Sequence, residues 1–343
     1  MDVSVIIRSK DEADRLKLTI ASLCAQTVQA EIVVVNDGSC DHTGDVLSAP
    51  PPGLSLVRID HPSALGRTAA SNAGAGVASG DILLFMDGDA LAAPDLVASH
   101  RQFHQNNGDR LARGDTWHLR QTRFFLDPAA ATPMPDEVER VSRLSEAERR
   151  ASRITAQAIR DDFASVDARA QPGIYPGAGP RRLYGIEMEA LRTAPHCPTL
   201  WAAASGQNLS VARDVFLGAG GFDPAIDNNE HRELALRLSR QGVRLALTAG
   251  RSYHMTHRRR WRDPLVDRGW MKRFHHLHPQ AAVALLPVLW GSLSDAPTLP
   301  EAARISSLPA LAAAAERIPA GLSPDAAVAE HLRLSGALEP IPA

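Results

Sequence analysis

The sequence predicts an α/β fold built on a central, mostly parallel sheet that is flanked by helices. In the first hundred or so residues, short runs rich in Val and Ile alternate with stretches that repeat apolar residues at helical spacing. This alternation of strand and helix patterns is typical of a parallel sheet. The strand-like runs are apolar throughout, as expected for strands covered by helices on both faces.

The N-terminal part supplies four strands and two helices of this pattern. The first predicted helix has Leu16, Ile20 and Leu23 on one face, where they can pack against the sheet. The second strand ends at Asp37-Gly38 and the fourth at Asp87-Gly88-Asp89. The predicted strands are 3–8, 31–36, 54–59 and 81–86, and the predicted helices are 11–26 and 68–78.

The rest of the chain divides by composition. Residues 1–126 carry the strand–helix alternation, and 127–199 change to Ala, Arg, Pro and Glu, which predicts a helical and loop insertion. Apolar order returns in 200–280, with a predicted helix and strand. Residues 281–343 predict a helical C-terminal appendage. The predicted elements are helices within 135–163, a loop at 171–182, a helix from 233 and a strand at 244–249.

Composition and charge are those of an ordinary globular protein. The chain has 343 residues, 44% hydrophobic and 22% charged, and a net charge of −2, so it has no overall attraction to nucleic acid. Three cysteines without metal-site spacing indicate a reducing cytoplasm rather than a disulfide framework. The apolar stretch 281–290 is too short to span a bilayer. It predicts a buried helix, and a peripheral membrane contact is the alternative.

The turn Asp87-Gly88-Asp89 is the sharpest chemical feature. It follows a predicted buried strand, and ligands of such sheets bind beyond the carboxyl ends of the strands. Two carboxylates on a tight glycine turn suit a hard divalent cation whose coordination is completed by substrate phosphates. The alternative is a solvated turn that caps the next helix.

Two further features lie at the same predicted edge. Asp37 ends the second strand and is suited to accept hydrogen bonds from a nucleobase or a ribose, although it can also simply close a turn. The string from Gly66 to Gly74 opens a helix whose free amides, with Arg67, can receive phosphate. It is neither a dinucleotide-binding glycine fingerprint nor a P-loop, which removes the best support for a dehydrogenase or a P-loop kinase.

Taken in order, these pieces resemble the family-2 glycosyltransferases, which have the GT-A fold and use nucleotide-diphospho-sugars. The matching stretches are VSVIIRSKDE, EIVVVNDGSCDHT, GRTAASNAGAGVASGDILLFMDGDA, SGQNLSVARDVFLGAGGFDP and NNEHRELALRL. Together they cover most of residues 1–100 and 200–260.

The resemblance implies roles for individual residues. It implies a manganese or magnesium ion held by Asp87, Asp89 and His254, with Asp89 the more direct ligand. Separately from the resemblance, we expect acceptor specificity to lie in the insertion 127–199, around Trp201 and in the C-terminal tail. The implied donor-binding residues are Ser9, Glu12, Asp37, Arg67, Asn72, Asp87, Gly88 and Asp89, and the implied acceptor-side residues are Trp201, Gly206 and Asn208.

This sequence departs from the family pattern at two positions. Ser71 stands where many relatives have an arginine, so a phosphate contact is expected from Arg67 or from the basic run further on. Where relatives have an E-D pair with a catalytic base, this chain has Glu230-His231. A carboxylate or a neutral imidazole can take a proton from an acceptor hydroxyl near neutral pH. We expect Glu230 to be the base, with His231 as the alternative.

A histidine-rich and arginine-rich segment follows the last predicted strand. Relatives often place a metal ligand at the position of His254, and His257 is its nearby competitor. Imidazole beside carboxylates is suited to manganese. The basic residues after it can neutralise a departing diphosphate. They are Arg258, Arg259, Arg260, Arg262, Lys272 and Arg273.

The sequence therefore predicts a metal-dependent inverting glycosyltransferase that is cytoplasmic, with an unidentified acceptor such as a small natural product, a saccharide or a peptide. The rivals are a sugar-1-phosphate nucleotidyltransferase and a non-catalytic nucleotide-sugar-binding protein. The nucleotidyltransferase needs a glycine-rich basic loop after the first strand, and residues 8–12 contain no glycine. Nucleic-acid binding has little support, because the basic run has few aromatic neighbours.

Overall fold

The computed structural model describes residues 1–108, 110–172, 183–257, 268–293 and 298–337. It divides the chain into two compact units. The first comprises Met1–Pro172, Ser205–Phe222 and Leu247–Trp261. The second comprises Gly173–Ala204, Asp223–Ala246 and Arg262–Ala343. The functional division into 1–126, 127–199, 200–280 and 281–343 remains a proposal.

The strands of the described residues form one large sheet and one small hairpin. The large sheet has the order β3–β2–β1–β4–β10–β6–β11–β5, with β9 paired to β6, and β7 pairs with β8. The strands are β1 (Val3–Ser9), β2 (Glu31–Asp37), β3 (Leu56–His61), β4 (Ile82–Asp87), β5 (Ala90–Ala92), β6 (Leu111–Leu119), β7 (Phe125–Asp127), β8 (Thr132–Pro133), β9 (Gln171–Pro172), β10 (Leu209–Ala212) and β11 (Leu245–Met255).

Helices surround these strands. The described helices are α1 (Ala13–Cys24), α2 (Thr43–Ser48), α3 (Arg67–Val77), α4 (Leu96–Asn107), α5 (Val138–Ser142), α6 (Glu146–Ser152), α7 (Ala156–Asp161), α8 (Phe163–Asp167), α9 (Leu183–Thr193), α10 (Arg213–Gly218), α11 (Glu230–Ser239), α12 (Gly269–Leu277), α13 (Ala281–Ala284), α14 (Leu286–Ser292), α15 (Leu308–Glu316) and α16 (Pro324–Leu334), with 3₁₀ turns at Arg120–Phe124, Leu200–Ala203 and Glu301–Ala303.

The four strands β3, β2, β1 and β4 are parallel, as the apolar runs predict. Their carboxyl ends lie at one edge, where Ser9 pairs with Asn36 and Arg8 pairs with Asp87. Strand β1 separates the strands that end at Asp37 and Asp87, so two strand spacings, about 10 Å, lie between those strands. The acidic turns therefore share one edge of the sheet.

The other part of the sheet mixes directions, because β10 runs antiparallel to both β4 and β6. The sequence pattern did not predict β5, β6 or β10. The α/β class with a central sheet and flanking helices is confirmed, and the predicted strands and helices of the N-terminal part match β1–β4, α1 and α3 to within a few residues.

The segment after residue 127 contributes to the core of the first unit. Ile154, Ile159 and Val166 are buried in one apolar cluster with Leu18 and Tyr253. These residues of the predicted insertion therefore belong to the core of the first unit, where their burial stabilises the sheet and α1. Of the loop predicted at 171–182, residues 173–182 lie outside the described part of the chain.

The described part of the second unit is mainly helical, and buried charged pairs link its helices. Arg232 on α11 donates to Glu187 on α9 at 2.8 Å, and both side chains are almost fully buried. Glu233 accepts from His278 at 2.8 Å and from Arg237 at 2.7 Å. Charged groups removed from water need such partners, and the Arg232–Glu187 pair joins α11 to α9.

The apolar stretch 281–290 forms α13 and the start of α14, and its residues from Ala282 to Trp290 are buried. This confirms the buried-helix interpretation. In the parts of the chain that the structure describes, no helix has both the length and the apolar character needed to cross a bilayer.

Candidate active site

Strand pairing brings Asp89 beside the end of β11. Strand β5 begins one residue after Asp89 and runs antiparallel to β11, with Ala90 opposite His254. The register continues past β5, because the backbone N–H of Met255 donates to the carbonyl of Asp89 at 2.9 Å. The acidic turn and a histidine more than 160 residues away in sequence are thus neighbours.

Two imidazoles meet one carboxylate at this point. The Nε2 atoms of His254 and His257 lie 3.1 Å and 2.7 Å from Oδ2 of Asp89. The candidate ligand atoms of these three residues all lie within 4.8 Å of one another. Oδ1 of Asp89 is buried and has no hydrogen-bond partner among the described residues. One carboxylate with two imidazoles is a donor set that fits a divalent cation.

The carboxyl groups around the turn differ in ionisation. Burial alone would raise the pKa of Asp89, but His254 and His257 outweigh it and hold that pKa well below its usual range. Burial and then the charges of Asp89 and Asp87 raise the pKa of Glu12 well above its usual range. A cation bound here would relieve the repulsion among these carboxyl groups.

Asp87, the first acid of the turn, has a different partner. The Nε of Arg8 donates to Oδ1 of Asp87 at 2.8 Å, and both side chains are partly shielded from solvent. This pairing follows from the sheet, because Arg8 on β1 is the register partner of Asp87 on β4. The negative charge of Asp87 is therefore paired with the positive charge of Arg8 within the protein.

Helix α1 supports the turn and the end of β11 together. The hydroxyl of Thr19 donates to the carbonyl of Gly88 at 2.8 Å. The guanidinium of the buried Arg15 donates to the carbonyls of Met255 and Phe125, each at 2.6 Å. Because Met255 lies between His254 and His257, Arg15 restrains the backbone that carries both imidazoles.

Gly88 allows Glu12 and Ser9 to approach the turn closely. A Cβ at position 88 would overlap Oε1 of Glu12 and lie 2.9 Å from Oγ of Ser9. Because Glu12 and Ser9 approach this closely, only glycine fits at position 88 without displacing them. Both side chains belong to the predicted set of donor-binding residues. Their contact with a donor remains a prediction.

Asp37 is buried and organises the loop after β3. Its carboxylate accepts from the backbone N–H groups of Leu65 at 2.8 Å and Gly66 at 3.0 Å, and His61 Nδ1 lies 2.7 Å from Oδ1. These bonds hold the segment that leads into α3, whose first residue is Arg67. The carboxylate therefore fixes the loop between β3 and α3, and its contact with a nucleoside remains a prediction.

The predicted donor residue Asn72 is engaged within the first unit. Its amide donates to the carbonyl of Phe222 and accepts from the N–H of the same residue, both at 2.9 Å. This two-way bond attaches α3 to the turn at Gly221, where a Cβ would lie 2.7 Å from the Asn72 oxygen. The structure thus gives Asn72 a supporting role, and its donor contact remains a prediction.

The three predicted acceptor-side residues lie in different surroundings. Asn208 is fully buried and donates to the carbonyls of Asp115 and Gly250 at 2.9 and 3.0 Å. Gly206 is partly exposed in the first unit. Trp201 belongs to the second unit, where it is 2% exposed and packs edge-on against Phe274. Asn208 and Trp201 therefore have structural roles, and the acceptor contacts of all three remain predictions.

Glu230 and His231 begin α11 in the second unit. Asn229 precedes them in a left-handed conformation with φ of 67°. Glu230 is 1% exposed, and its Oε2 lies 3.7 Å from Nδ1 of His231. An Nη of Arg232 lies 2.9 Å from Nε2 of His231. Glu230, His231 and Arg232 thus lie close together, and the catalytic role of Glu230 or His231 remains a prediction.

Sequence reasoning missed two participants in the first unit. Arg8 is the partner of Asp87, and only the strand register reveals it. The ring of His118 on β6 stacks edge-on against His254 with centroids 5.0 Å apart. Burial and then the charges of His254 and Arg120 lower the pKa of His118 to about 3, so this ring is neutral. The basic residues Arg258, Arg259, Arg260 and Arg262 lie outside the described residues, and Arg273 pairs with Asp223 at 2.8 Å.

A parallel half-sheet with an acidic turn at its carboxyl edge is the architecture of the GT-A class, and solved structures of that class share the fold. One is TarS of S. aureus, residues 1–349, in complex with UDP-GlcNAc, with a TM-score of 0.51 and 14% identity. The likeness covers 86% of this chain and 68% of that one.

Residues 4–149 match the model described as Glycosyl transferase family 2. The uncharacterized glycosyltransferase YfnE of Bacillus subtilis is 34% identical over 119 residues, which are 34% of this chain and 30% of YfnE. The succinoglycan biosynthesis protein ExoU of Rhizobium meliloti is 32% identical over 143 residues, 40% of this chain and 38% of ExoU. The matches span less than half the length of these relatives.

Proposed function

We propose that the protein is a metal-dependent, inverting glycosyltransferase that moves a sugar from a nucleotide-diphosphate donor to an acceptor hydroxyl. The observation that carries this proposal is the meeting of Asp89, His254 and His257 at the carboxyl edge of a family-2 sheet. The fold shared with TarS, which was solved with UDP-GlcNAc, agrees with a nucleotide-sugar donor.

The residues of the first unit bind and orient the donor in this proposal. Asp89 and His254 hold a manganese or magnesium ion, with Asp87 and His257 beside them. When bound by these residues, the cation supplies Lewis-acid stabilisation of the charge that develops on the leaving diphosphate. Ser9, Glu12, Asp37, Arg67 and Asn72 are the proposed donor-pocket residues.

Glu230 is the proposed base that takes the proton of the acceptor hydroxyl. The alternative, His231, has its Nε2 atom 2.9 Å from a guanidinium nitrogen of Arg232. A guanidinium can only donate, so Nε2 accepts this bond, and a neutral His231 carries its proton on Nδ1. His231 then has no lone pair left to act as a base, which favours Glu230. Direct displacement with such a base gives inverted stereochemistry.

The experiment is release of nucleoside diphosphate from a panel of UDP-, GDP- and dTDP-sugars by the full chain, with and without Mn²⁺. Asp89→Asn should abolish metal-dependent release. Asp95→Asn is the matched control, because Asp95 is exposed at the start of α4 and makes no side-chain capping bond. No release with any donor, or unchanged release by Asp89→Asn, would contradict the proposal.

The choice of base has its own test. Glu230→Gln should lower kcat by roughly 10²–10⁴-fold, the usual contribution of a general base. Donor affinity measured by calorimetry should stay close to that of the unaltered protein. His231→Gln should retain most of the turnover. If instead His231→Gln abolishes turnover and Glu230→Gln does not, the base is His231.

A further inference from the structure

We propose that His257, and not Asp87, completes the set of protein ligands with Asp89 and His254, so that the site selects Mn²⁺ over Mg²⁺. This inference rests on the proposed function, because it concerns the metal of that same site. It places His257, which the sequence offered only as a competitor of His254, beside that residue as a second imidazole ligand, and it removes Asp87.

The first step is the geometry around Asp89. His257 Nε2 lies closer to Oδ2 of Asp89, at 2.7 Å, than His254 Nε2 does, at 3.1 Å. Both rings are about one-fifth exposed, and their centroids are 5.5 Å apart. The two imidazoles thus approach one carboxylate together, and either nitrogen needs only a small movement to share an ion with it.

The second step concerns Asp87. Its carboxylate is bound by Arg8 at 2.8 Å across adjacent parallel strands. The cluster of candidate metal ligands found among the described residues contains Asp89, His254 and His257 but not Asp87. Ligation through Oδ1 of Asp87 would compete with the hydrogen bond from Arg8, whose side chain is largely buried.

The third step is the chemistry of the ligand set. Mg²⁺ binds oxygen ligands and keeps much of its water, whereas imidazole nitrogen suits transition-metal ions. A site with two imidazoles and one carboxylate therefore offers Mg²⁺ only one preferred ligand. Mn²⁺ accepts both nitrogen and oxygen, and oxygen atoms of a diphosphate can fill its remaining positions.

The experiment measures Mn²⁺ binding directly on the full chain without donor. Free Mn²⁺ is counted by its electron paramagnetic resonance signal during titration with MnCl₂, and competition with MgCl₂ gives the selectivity. His257→Gln and His254→Gln should each raise the Mn²⁺ Kd by at least about tenfold, as expected when metal-site contacts are lost. Asp87→Asn should change Kd by less than about fivefold. His42→Gln, an exposed histidine of the same unit, is the control.

A second measurement keeps the inference testable if a variant fails to fold. Electron spin-echo modulation of bound Mn²⁺ detects directly coordinated nitrogen in the unaltered protein. We expect two imidazole nitrogens, and one in each folded His→Gln variant. A single coordinated nitrogen in the unaltered protein, Mg²⁺ that competes equally with Mn²⁺, or an Asp87→Asn variant as weak as Asp89→Asn would overturn the inference.

The two proposals fail separately. Mn²⁺ bound through two imidazoles in a protein that releases no nucleoside diphosphate from any sugar donor would contradict the proposed function and leave the ligand assignment intact. Sugar transfer supported equally by Mg²⁺, with one coordinated nitrogen, would contradict the ligand assignment alone.

Discussion

His100 on α4 should make the stability of the protein depend steeply on pH below neutrality. Its side chain is fully buried between Asn208, whose Oδ1 lies 2.7 Å from Nε2, and Ser210, whose hydroxyl lies 2.7 Å from Nδ1. The amide nitrogen of Asn208 donates to carbonyls, so its oxygen must accept from Nε2–H. The neutral ring with its proton on Nε2 therefore satisfies this network.

Burial, with a further contribution from His104, lowers the pKa of His100 from 6.5 to about 4. His100 is therefore protonated near pH 6.5 in the unfolded chain, but only near pH 4 in the folded protein. Stability is therefore complete above pH 6.5 and falls as the pH drops toward 4. At about 1.4 kcal/mol per pH unit, His100 alone should remove about 3 kcal/mol of unfolding free energy over that interval.

The assay is urea denaturation at a series of pH values from about 7.5 down to about 4, which spans the titration of His100 in both the unfolded and the folded state. The unaltered protein is compared with His100→Gln, which keeps a donor for Asn208 but cannot titrate. The variant is expected to be less stable at the upper end of this pH range and to lose less free energy on acidification. Parallel pH profiles for the two proteins would refute the assigned ionisation of His100.

Two other predictions concern the supports of the site. Arg15→Met removes the donor to the buried carbonyls of Met255 and Phe125. It should lower the melting temperature, because each unsatisfied buried group costs about 1–3 kcal/mol, and it should lower Mn²⁺ affinity. Unchanged Mn²⁺ affinity in the folded variant would show that Arg15 does not position the histidines. Gly38→Ala should weaken binding of nucleoside diphosphates in calorimetry, since its Cβ would lie 2.5 Å from Ala64 N in the loop held by Asp37. Gly53→Ala is its control, because Gly53 also has positive φ but open space around it, and equal effects of both substitutions would refute the steric argument.

Local patterns predicted the N-terminal half-sheet well. Each of β1, β2 and β4 contains a run of at least three consecutive apolar residues, and α1 and α3 repeat apolar residues at helical spacing, so neighbours in sequence carry the signal. The acidic turns followed from the same logic, because the carboxyl ends of parallel strands meet at one edge. No comparable signal marks β5 or β10, which are short and form through antiparallel pairing with distant strands.

The metal-site residues were only partly predictable for the same reason. Asp89 follows a strand that the sequence reveals, and His254 was expected only from the family resemblance. The pairing of β5 with β11 and the ion pair of Arg8 with Asp87 join residues far apart in the chain. Propensity and periodicity carry no information on such contacts, so the sequence offered His257 only as a competitor of His254 and did not reveal the pairing of Asp87 with Arg8.

The most direct test of the metal site is an anomalous difference map from crystals of the full chain grown with Mn²⁺ and a nucleoside diphosphate. We expect one strong peak in contact with Asp89, His254 and His257, with oxygen atoms of the diphosphate also in contact with it. A peak bound by Asp87 without the histidines, or a diphosphate bound elsewhere with no metal at Asp89, would contradict it.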